Sequence, residues 1–509
     1  MYELPLRGTK LSLTVGAVGA IAFFLQGYDQ AVVNGLLSLS TWEKQFPDID
    51  TTKHPDSHTS LVQGTAVALY EVGCAFGAVS CFFLGDRLGR RRLIFGAAWV
   101  VILGVILQAT SFSLGQLMAA RVVTGLGVGA FTATVPMWVT ECTKAHNRGK
   151  LVMMQGWLAI GGVCFATWLD FGFFYVKNSS VNWRFPIAFQ AVFALIVLVL
   201  IMFLPESPRW LIIKEDYHAA EHALDRLYDM PEGSELIKSE VQLIRQSIAL
   251  EQVGSSTNPF ALTKNRHLQR TLTCISINIL CQMTGVNIVT FYSNTIFQDI
   301  LHYNGVESRV ISGCMQIWQL VCAGIAILLI DRFGRRKLLV TCALGMAVGQ
   351  AGLAALTKFA TEGSAKAAGA SLFFDFATLT FFPIGLFLLP LMYSAEIAPL
   401  RIRARVTAMS SASNWLFNFL LAEVTPVGFD NLGWKYYLVY MSISTFAAVF
   451  FYLMCPETKN RALEDIDEFF LRADTIWEPR KIAKTLPYDS GIVGALEEKI
   501  ERAEHAETA

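Results

Sequence analysis

Twelve long apolar stretches, separated by short polar loops, constrain the fold of this chain more than any other feature. Crossing the hydrocarbon of a bilayer takes about 20 mostly apolar residues in a helix, and each stretch is long enough. Lipid offers no partner to an unpaired backbone N–H or C=O group, so each stretch is predicted to be helical. The stretches are 11–37, 61–84, 93–113, 115–139, 149–175, 183–204, 271–301, 309–330, 337–357, 366–395, 405–427 and 434–455. The sequence therefore predicts an all-α, multi-pass membrane protein, whose transmembrane helices we call spans 1 to 12.

The Lys and Arg residues are distributed unevenly among the loops, although the formal net charge of the chain is zero. The short loops after spans 2, 4, 8 and 10 carry 14 of them, and the loops on the other side carry 8. Because basic loops tend to stay in the cytoplasm, this asymmetry predicts that both termini are cytoplasmic. Asn178 begins an Asn-x-Ser/Thr sequence in a loop assigned to the outside and is a candidate glycosylation site. We expect the plasma membrane as the location.

Three motifs recur in the same order in the two halves of the chain. They are 85–91 (GDRLGRR) with 330–336 (IDRFGRR), Glu141 and Arg148 with Glu396 and Arg403, and Pro205-Glu206 with Pro456-Glu457, at offsets of 245, 255 and 251 residues. The chain is therefore predicted to contain two six-helix bundles of one topology, at 11–204 and 271–455. The polar segments 1–10, 205–270 and 456–509 are the expected cytoplasmic N-terminus, linker and C-terminal tail. The helical patterning of the linker fits either a solvated connection or short helices that latch an inner gate.

Charged residues in the repeated loops have a spacing that topogenic charge alone does not explain. Acidic residues recur beside the groups of Arg residues, which indicates ion pairs between the ends of neighbouring helices. Such pairs would clamp the cytoplasmic side and would break when that side opens. The candidate gating residues are Asp86, Arg87, Arg90, Arg91, Glu141, Arg148, Glu206, Arg209, Asp331, Arg332, Arg335, Arg336, Glu396, Arg403 and Glu457.

Several motifs resemble the sugar porter family of the major facilitator superfamily. They are GDRLGRRR (85–92), PMWVTE (136–141), PESPRWL (205–211), QMTGVN (282–287), YSAEIAPLRIRA (393–404) and PETK (456–459). LVMMQG (151–156), LDFGF (169–173) and SNWLFNF (413–419) resemble its fungal branch of monosaccharide and polyol proton symporters. The resemblance implies two pseudo-symmetric bundles that move a small neutral polyhydroxylated solute and a proton by alternating access. We expect a monomer in the lipid bilayer, with no enzymatic activity, cofactor or nucleic-acid partner.

Asp29 is the one charged residue within the apolar stretch 11–37. A charge in the hydrocarbon costs about 2.5–3.5 kcal/mol on insertion scales, so it normally faces the bundle interior and has a partner. Arg121 in span 4 is the natural partner, since Gly125 and Gly129 on its helical face permit a neighbouring helix to approach closely. The resemblance implies that Asp29 and Arg121 are the proton-coupling pair, because separation from the guanidinium would favour a protonated carboxyl. A purely structural ion pair is the alternative, and some facilitators of the family carry the same Asp.

Amide and aromatic side chains are the candidate sugar ligands, because amides match both the donor and the acceptor of a sugar hydroxyl. The resemblance implies substrate-binding roles for Gln155, Gln282, Asn287, Tyr292, Gln319, Asn414 and Asn418. The chain departs from the family pattern at three positions: Cys281 and Gly156 stand where the family has a Gln, and Leu391 replaces the Trp beneath the sugar. Glu71 and Asp375 are further carboxylates within spans; we expect a structural role for Glu71 and assign none to Asp375.

The resemblance favours proton-coupled import of a hexose, a pentose or a polyol over three alternatives. A facilitative uniporter would use the same site without proton movement, and a transport-inactive sensor would bind the sugar without moving it. An exporter of a secondary metabolite would account for the missing aromatic residue at 391. The linker sequence HAAEH (218–222) matches a zinc-peptidase pattern, but its surroundings are those of a solvated helix, and we expect no metal site.

Overall fold

The computed structural model of the protein describes residues 5–37, 39–49, 57–143, 145–177, 179–231, 233–252, 258–263, 265–286, 305–361, 364–399, 402–459, 461 and 463–485. All atoms of Asn178, Asn287 and Tyr292 lie outside these ranges, and the side chains of Arg148 and Asp331 lie outside the described part as well. The roles predicted for these five residues stay predictions.

Each predicted span is helical over most of its described residues. Spans 1 to 6 are Gly8–Leu36, Ser57–Leu88, Arg90–Ala109, Leu114–Glu141, Ala145–Phe174 and Val181–Ile201. Span 7 begins as His267–Gln282, and spans 8 to 12 are Gly305–Phe333, Arg335–Thr361, Ala365–Gly385 with Leu389–Ile397, Arg403–Leu432 and Tyr436–Met454. By length and composition, 10 stretches of described helix can cross a membrane. The other two are span 7, of which part is described, and span 11, a 30-residue helix that carries several Ser and Asn residues.

Most helices run a few residues beyond the predicted apolar stretches, because a helix can continue through polar residues outside the hydrocarbon. Span 10 differs most from the prediction. The single helix expected at 366–395 is interrupted at 386–388, between Pro383 and Pro390. Proline lacks the backbone donor and its ring clashes with the carbonyl group one turn earlier, so two prolines this close interrupt the helix.

The two bundles meet along two equivalent pairs of spans, span 2 against span 11 and span 8 against span 5. Span 8 repeats span 2 and span 11 repeats span 5, so the two contacts are counterparts. Within the first bundle, span 4 packs closely on span 2. A Cβ atom at Gly125 or Gly129 would lie 2.2 or 1.9 Å from a backbone atom of span 2, so only glycine permits this approach. The close approach expected from these glycines is present, and span 2 is the helix that makes it.

The linker forms three helices, Pro208–Ile213, Tyr217–Tyr228 and Glu235–Gln252. Their buried apolar residues, among them Ile212 and Leu224, pack into a cluster of their own. The linker is therefore a small packed unit and more than a solvated connection. It lies at what we call the basic end of the bundles, where spans 2, 4, 8 and 10 finish and spans 3, 5, 9 and 11 begin.

The chain beyond span 12 forms two further helices at the basic end, Leu463–Leu471 and Glu478–Thr485. Arg270, near the start of span 7, donates a hydrogen bond to Asp467 in the first of them. The Arg270 guanidinium also lies 4.6 Å from the centre of the Phe470 ring. These contacts fasten the first part of the tail to the second bundle.

Candidate coupling, substrate and gating sites

A buried ion pair joins Arg121 of span 4 to Asp29 of span 1. Arg121 Nη1 lies 3.2 Å from Asp29 Oδ1, and the two side chains are 2% and 0% exposed. The guanidinium is also held by backbone carbonyl groups, since Nη1 donates to the carbonyl of Asp29 at 3.3 Å and Nη2 donates to that of Val67 at 3.1 Å. Arg121 lies about 10 Å along span 4 from its start at Leu114. The pair therefore sits in the part of the bundle remote from the basic end.

The second carboxylate oxygen of Asp29 differs from the first, because it makes no hydrogen bond of standard geometry with the described residues. An aromatic pair also links this site to the second bundle. The amide of Gln190 in span 6 faces this carboxylate and interacts with it, but Asp29 Oδ2 makes no hydrogen bond of standard geometry among the described residues. Arg121 Cζ lies 4.7 Å from the centre of the Tyr70 ring in span 2. Tyr70 meets Trp415 of span 11 edge-on, with 6.1 Å between ring centres. Arg121 thus contacts Tyr70, which in turn contacts Trp415 of the second bundle. A movement of Arg121 can therefore be transmitted to the interface between the bundles.

Five of the seven predicted sugar ligands lie in the described part of the chain. Gln282 Nε2 of span 7 donates to Asn414 Oδ1 of span 11 at 3.1 Å, and Asn418 lies one turn further along span 11. Gln155 of span 5 is fully buried, and neither of its amide atoms has a partner among the described residues. Gln319 of span 8 is 6% exposed. The structure thus joins Gln282 directly to Asn414, whereas Gln155 lies against span 1.

Span 7 loses its helical geometry directly after Gln282. Gly285 has a φ of +81°, which glycine adopts far more readily than residues with a side chain. The carbonyl oxygen of Thr284 within this break accepts a hydrogen bond from Gln350 Nε2 of span 9, at 3.4 Å. The first candidate sugar ligand in span 7 therefore stands at the end of a helical segment, as ligands of transporters commonly do.

At the basic end, Glu141 at the end of span 4 is surrounded by donors. Arg90 Nε donates to Glu141 Oε2 at 3.0 Å, with side chains 1% and 0% exposed. Ser207 Oγ donates to the same oxygen at 2.6 Å. These bonds lie within the first bundle and hold the ends of spans 3 and 4 and the start of the linker together.

Glu206 caps the start of span 3 with its carboxylate. It accepts hydrogen bonds from the backbone N–H groups of Arg90 at 3.0 Å and Arg91 at 3.1 Å, where the helix dipole favours a negative charge. Burial raises the pKa of Glu206, although these N–H groups and the Arg90 charge act in the opposite direction. Gly89, with a φ of +86°, makes the turn from span 2 possible, and a Cβ atom there would lie 2.7 Å from Glu206 Oε2.

The second bundle repeats this arrangement contact by contact. Arg335 Nη2 lies 3.2 Å from Glu396 Oε1, and Thr458 Oγ1 donates to Glu396 Oε2 at 2.7 Å. Glu457 accepts from the backbone N–H groups of Arg335 at 2.8 Å and Arg336 at 3.2 Å. The repeated charges of the sequence therefore build the same frame twice.

Among the described residues, two ion pairs at the basic end join one bundle to the other. Arg403 Nη1 lies 3.9 Å from Glu141 Oε1, and both side chains are buried. Arg405 Nε lies 3.5 Å from Asp86 Oδ2, and these side chains are 31% and 38% exposed. Both arginines begin span 11, so separation of the bundles at this end breaks both pairs.

The remaining predicted gating residues have different surroundings. Arg91 Nε and Arg336 Nη2 donate to backbone carbonyl groups at the ends of spans 6 and 12, at 3.1 and 2.8 Å. Arg209 contributes positive charge near Glu141. Arg87 and Arg332 are exposed, as expected of topogenic charges.

At the opposite end, Arg309 of span 8 reaches across to the first bundle. Its Nη1 donates to the carbonyl oxygen of Gly35 at 3.4 Å, and its Cζ lies 4.4 Å from the centre of the Phe174 ring. Asp170, one turn before Phe174, is buried against Gly35, and neither of its carboxylate oxygens has a hydrogen-bond partner among the described residues. Each end of the bundles thus has its own contact between them.

A family model described as "Sugar (and other) transporter" matches residues 15–470, which is most of the chain. The chain belongs to the sugar (and other) transporter family. The sugar porter resemblance of its motifs is confirmed, and the protein is a multi-pass membrane transporter.

Relatives of this transporter align with it along nearly its whole length. Sugar transporter STL1 of Saccharomyces cerevisiae is 35% identical over 491 residues, covering 95% of this chain and 85% of the relative. MFS-type transporter oryC of Aspergillus oryzae is 33% identical over 471 residues, covering 91% and 86%. Among solved structures, the proton:xylose symporter XylE of E. coli superposes with a TM-score of 0.80 at 23% identity, over 91% of this chain and 100% of XylE. The predicted major facilitator fold is confirmed.

Our reading of the transporter's sequence missed several contact residues. Ser207 and Thr458 donate to the two buried glutamates, and both directly follow a repeated Pro-Glu pair, so the repeat itself carried that signal. Tyr70 and Trp415 link the bundles, and Trp415 Nε1 donates to Thr132 Oγ1 of span 4 at 3.0 Å. Their spacing in the sequence indicates nothing about this contact.

Proposed function

We propose that this transporter imports a monosaccharide, a hexose or a pentose, or a related polyol, together with a proton by alternating access. Its family and the relative named Sugar transporter STL1 support the solute class, and the name of XylE, a proton:xylose symporter, supports the coupling ion. In this proposal the protein is a monomer of the plasma membrane, with both termini and the basic end in the cytoplasm.

The observation that carries the proposal is the buried Asp29–Arg121 pair, in which Oδ2 of the carboxylate makes no hydrogen bond of standard geometry with the described residues. A proton can bind Oδ2 while Oδ1 still faces Arg121. Protonation removes the charge attraction between spans 1 and 4, so these spans separate more easily, while Arg121 keeps its bond to the carbonyl group of Val67 in span 2. When the site opens to the cytoplasm, the proton leaves for water and the ion pair forms again.

The solute is proposed to bind between the bundles, beside the break in span 7. Gln282 and Asn414 would exchange their mutual hydrogen bond for bonds to sugar hydroxyls, so binding leaves neither amide unsatisfied. Gln155 offers a buried amide whose donor and acceptor are both unused among the described residues. The proposed ligand set is completed by Gln319, Asn418, Asn287 and Tyr292.

The ion pairs of the basic end divide into two classes with different roles in the cycle. Arg90–Glu141 and Arg335–Glu396 each lie within one bundle and survive its movement as a unit. Arg403–Glu141 and Arg405–Asp86 join the bundles and must break when the cytoplasmic side opens. The first class thus keeps each bundle rigid, and the second is the gate.

Proton coupling supplies enough energy for accumulation of a neutral solute. A membrane potential of 100 mV contributes about 2.3 kcal/mol per proton, and one pH unit adds about 1.4 kcal/mol. Together they sustain a solute gradient of a few hundredfold.

The decisive experiment measures proton movement in weakly buffered cells that lack their own sugar porters. Adding a transported solute should make the medium more alkaline with the wild-type protein. Asp29→Asn should abolish this alkalinisation and retain exchange of labelled solute, which shows that the variant is folded; Asp86→Asn is the control carboxylate and should retain alkalinisation. Undiminished proton uptake by Asp29→Asn would refute the proposed coupling site.

Leu391 favours one second candidate function, export of a secondary metabolite. This residue lies next to the break in span 10 and presents an aliphatic side chain that packs on the apolar core. An aliphatic surface suits a less hydroxylated solute than a sugar. Proton entry on external addition of a sugar or polyol would exclude this candidate, and labelled-solute uptake without proton movement would identify a uniporter.

A further inference from the structure

A buried carboxylate that the proposed mechanism does not use lies in the second bundle. Asp375 is in the middle of the first helix of span 10, is 2% exposed, and its Oδ1 has no hydrogen-bond partner among the described residues. No Lys, Arg or His of the described part lies within ion-pair distance of it. An ionised carboxylate in such surroundings is strongly disfavoured.

The contacts between spans 9 and 10 place Asp375 at the position that corresponds to Arg121. In the first bundle, a Cβ atom at Gly104 would lie 2.3 Å from Thr124 Oγ1, and in the second bundle the distance from Gly349 to Thr378 Oγ1 is likewise 2.3 Å. Thr378 follows Asp375 by three residues, as Thr124 follows Arg121. The two bundles thus carry a basic and an acidic side chain at equivalent points of the fold.

Two buried polar groups that lack hydrogen-bond partners among the described residues lie near the level of Asp375 in the second bundle. Thr378 Oγ1 and Gln350 Oε1 are buried and have no hydrogen-bond partner among the described residues. Thr378 lies on the same face of span 10 as Asp375, and Gln350 follows Gly349, which packs against Thr378. A protonated carboxyl group would add an O–H donor to this layer, where Gln350 Oε1 can only accept and the Thr378 hydroxyl can donate or accept.

The same layer is connected to the proposed solute site. Gln350 Nε2 donates to the carbonyl oxygen of Thr284, inside the break that follows Gln282. Broken helices and their unpaired carbonyl groups are where transporters of other folds bind coupling ions. Thr378, one turn from Asp375, is therefore connected through Gly349 and Gln350 to the segment that follows the first sugar ligand of span 7.

The titratable neighbours of Asp375 are few. The hydroxyl group of Tyr437 in span 12 faces it. Span 9 presents the neutral amide of Gln350, and on span 8 the thiol of Cys322 lies near Thr380, five residues further along span 10. The described neighbours of Asp375 include no cation, and a proton taken up from outside the protein would neutralise its charge.

We propose that Asp375 is a second coupling site, which takes up one proton from the outside with each solute and releases it to the cytoplasm. This inference rests on the proposed proton symport and raises its stoichiometry from one proton to two. The bond that forms is the carboxyl O–H, and the bond that breaks is that of hydronium, so no other reactant is required.

The test is the solute gradient at which net flux is zero in proteoliposomes with the voltage clamped to zero. For a pH difference of one unit, each coupled proton multiplies the balancing solute ratio by ten. The wild-type ratio should be about one hundredfold, and Asp375→Asn should lower it to about tenfold; Asp375→Glu should retain one hundredfold. Exchange of labelled solute in each variant verifies that it is folded.

The outcomes separate this inference from the proposed function. A wild-type balancing solute ratio of tenfold would overturn the second site and leave proton symport standing. A wild-type ratio of one hundredfold that is the same in Asp375→Asn would do the same. A wild-type ratio of one would overturn both. Replacement of sodium by choline at constant pH should change nothing; a Na⁺-dependent ratio that Asp375→Asn abolishes would overturn the assignment to a proton.

Discussion

Replacing Glu141 by Gln should open the basic end of the transporter. Glu141 bonds to Arg90 in its own bundle and lies 3.9 Å from Arg403 of the other bundle. The Arg90 bond is present in both the closed and the open state, so its loss does not shift the equilibrium between them. The shift comes from the Arg403 contact, which exists in the closed state alone.

The size of this shift follows from distance and burial. Unit charges about 4 Å apart attract with about 4 kcal/mol at an effective dielectric constant of 20. Rehydration of the two groups on opening offsets part of this energy, and we expect about 2 kcal/mol to remain. The ratio of closed to open protein should therefore fall about 30-fold in Glu141→Gln.

Asp86→Asn is the matched control, because it removes the other ion pair between the bundles. The side chains of Arg405 and Asp86 are 31% and 38% exposed, and a hydrated ion pair of this kind contributes at most about 1 kcal/mol. The closed-to-open ratio should therefore change less than about fivefold.

The assay is the distance distribution between spin labels on Leu88 and Phe333, which are 38% and 46% exposed at the ends of spans 2 and 8. Cys314, the exposed cysteine, is first replaced by Ser. Glu141→Gln should transfer population to the longer distance, and Asp86→Asn should do so weakly. Equal small effects of both variants would refute the division of the ion pairs by burial and by bundle.

Three further predictions concern the turn, the solute site and the opposite end. Gly89→Ala forces a Cβ atom into a turn of positive φ, 2.7 Å from Glu206 Oε2. Thermal unfolding should show that this variant is less stable by about 1–3 kcal/mol. Gly96→Ala is the control and should leave the stability unchanged, because there is open space around Gly96. Gln282→Ala and Asn414→Ala should each raise the KM for the solute about tenfold, and the double variant should raise it by less than the product because the two amides bond to each other. Arg309→Ala removes the contact with Gly35 and should open the end of the bundles opposite the basic end. A cysteine introduced at that end should then react faster with a membrane-impermeant alkylating reagent, and a cysteine introduced at the basic end should react more slowly.

The chemistry of the bilayer explains why so much of this fold could be predicted. Helices in lipid must be apolar and long, so the spans were visible in the residue pattern, and a repeated motif reports a repeated structure. Asp29 was conspicuous because a charge in lipid needs a partner, and Arg121 was the natural candidate; the structure places them 3.2 Å apart. The break in span 10 was missed because single prolines also occur inside continuous spans, as Pro136 does in span 4.

The sequence by itself determined the number of spans, their division into two equivalent bundles and the identity of the charges at the loops. Each of these follows from a property that is local along the chain or recurs at a constant offset. The tertiary structure alone decided which charges meet at the basic end, where Glu141 bonds to Arg90 within its bundle and faces Arg403 across the interface. It also decided that Asp375 meets no cation in the described part of the protein. The reason is physical: the ends of helices distant in sequence become neighbours through packing, and burial then determines how strongly any two charges interact.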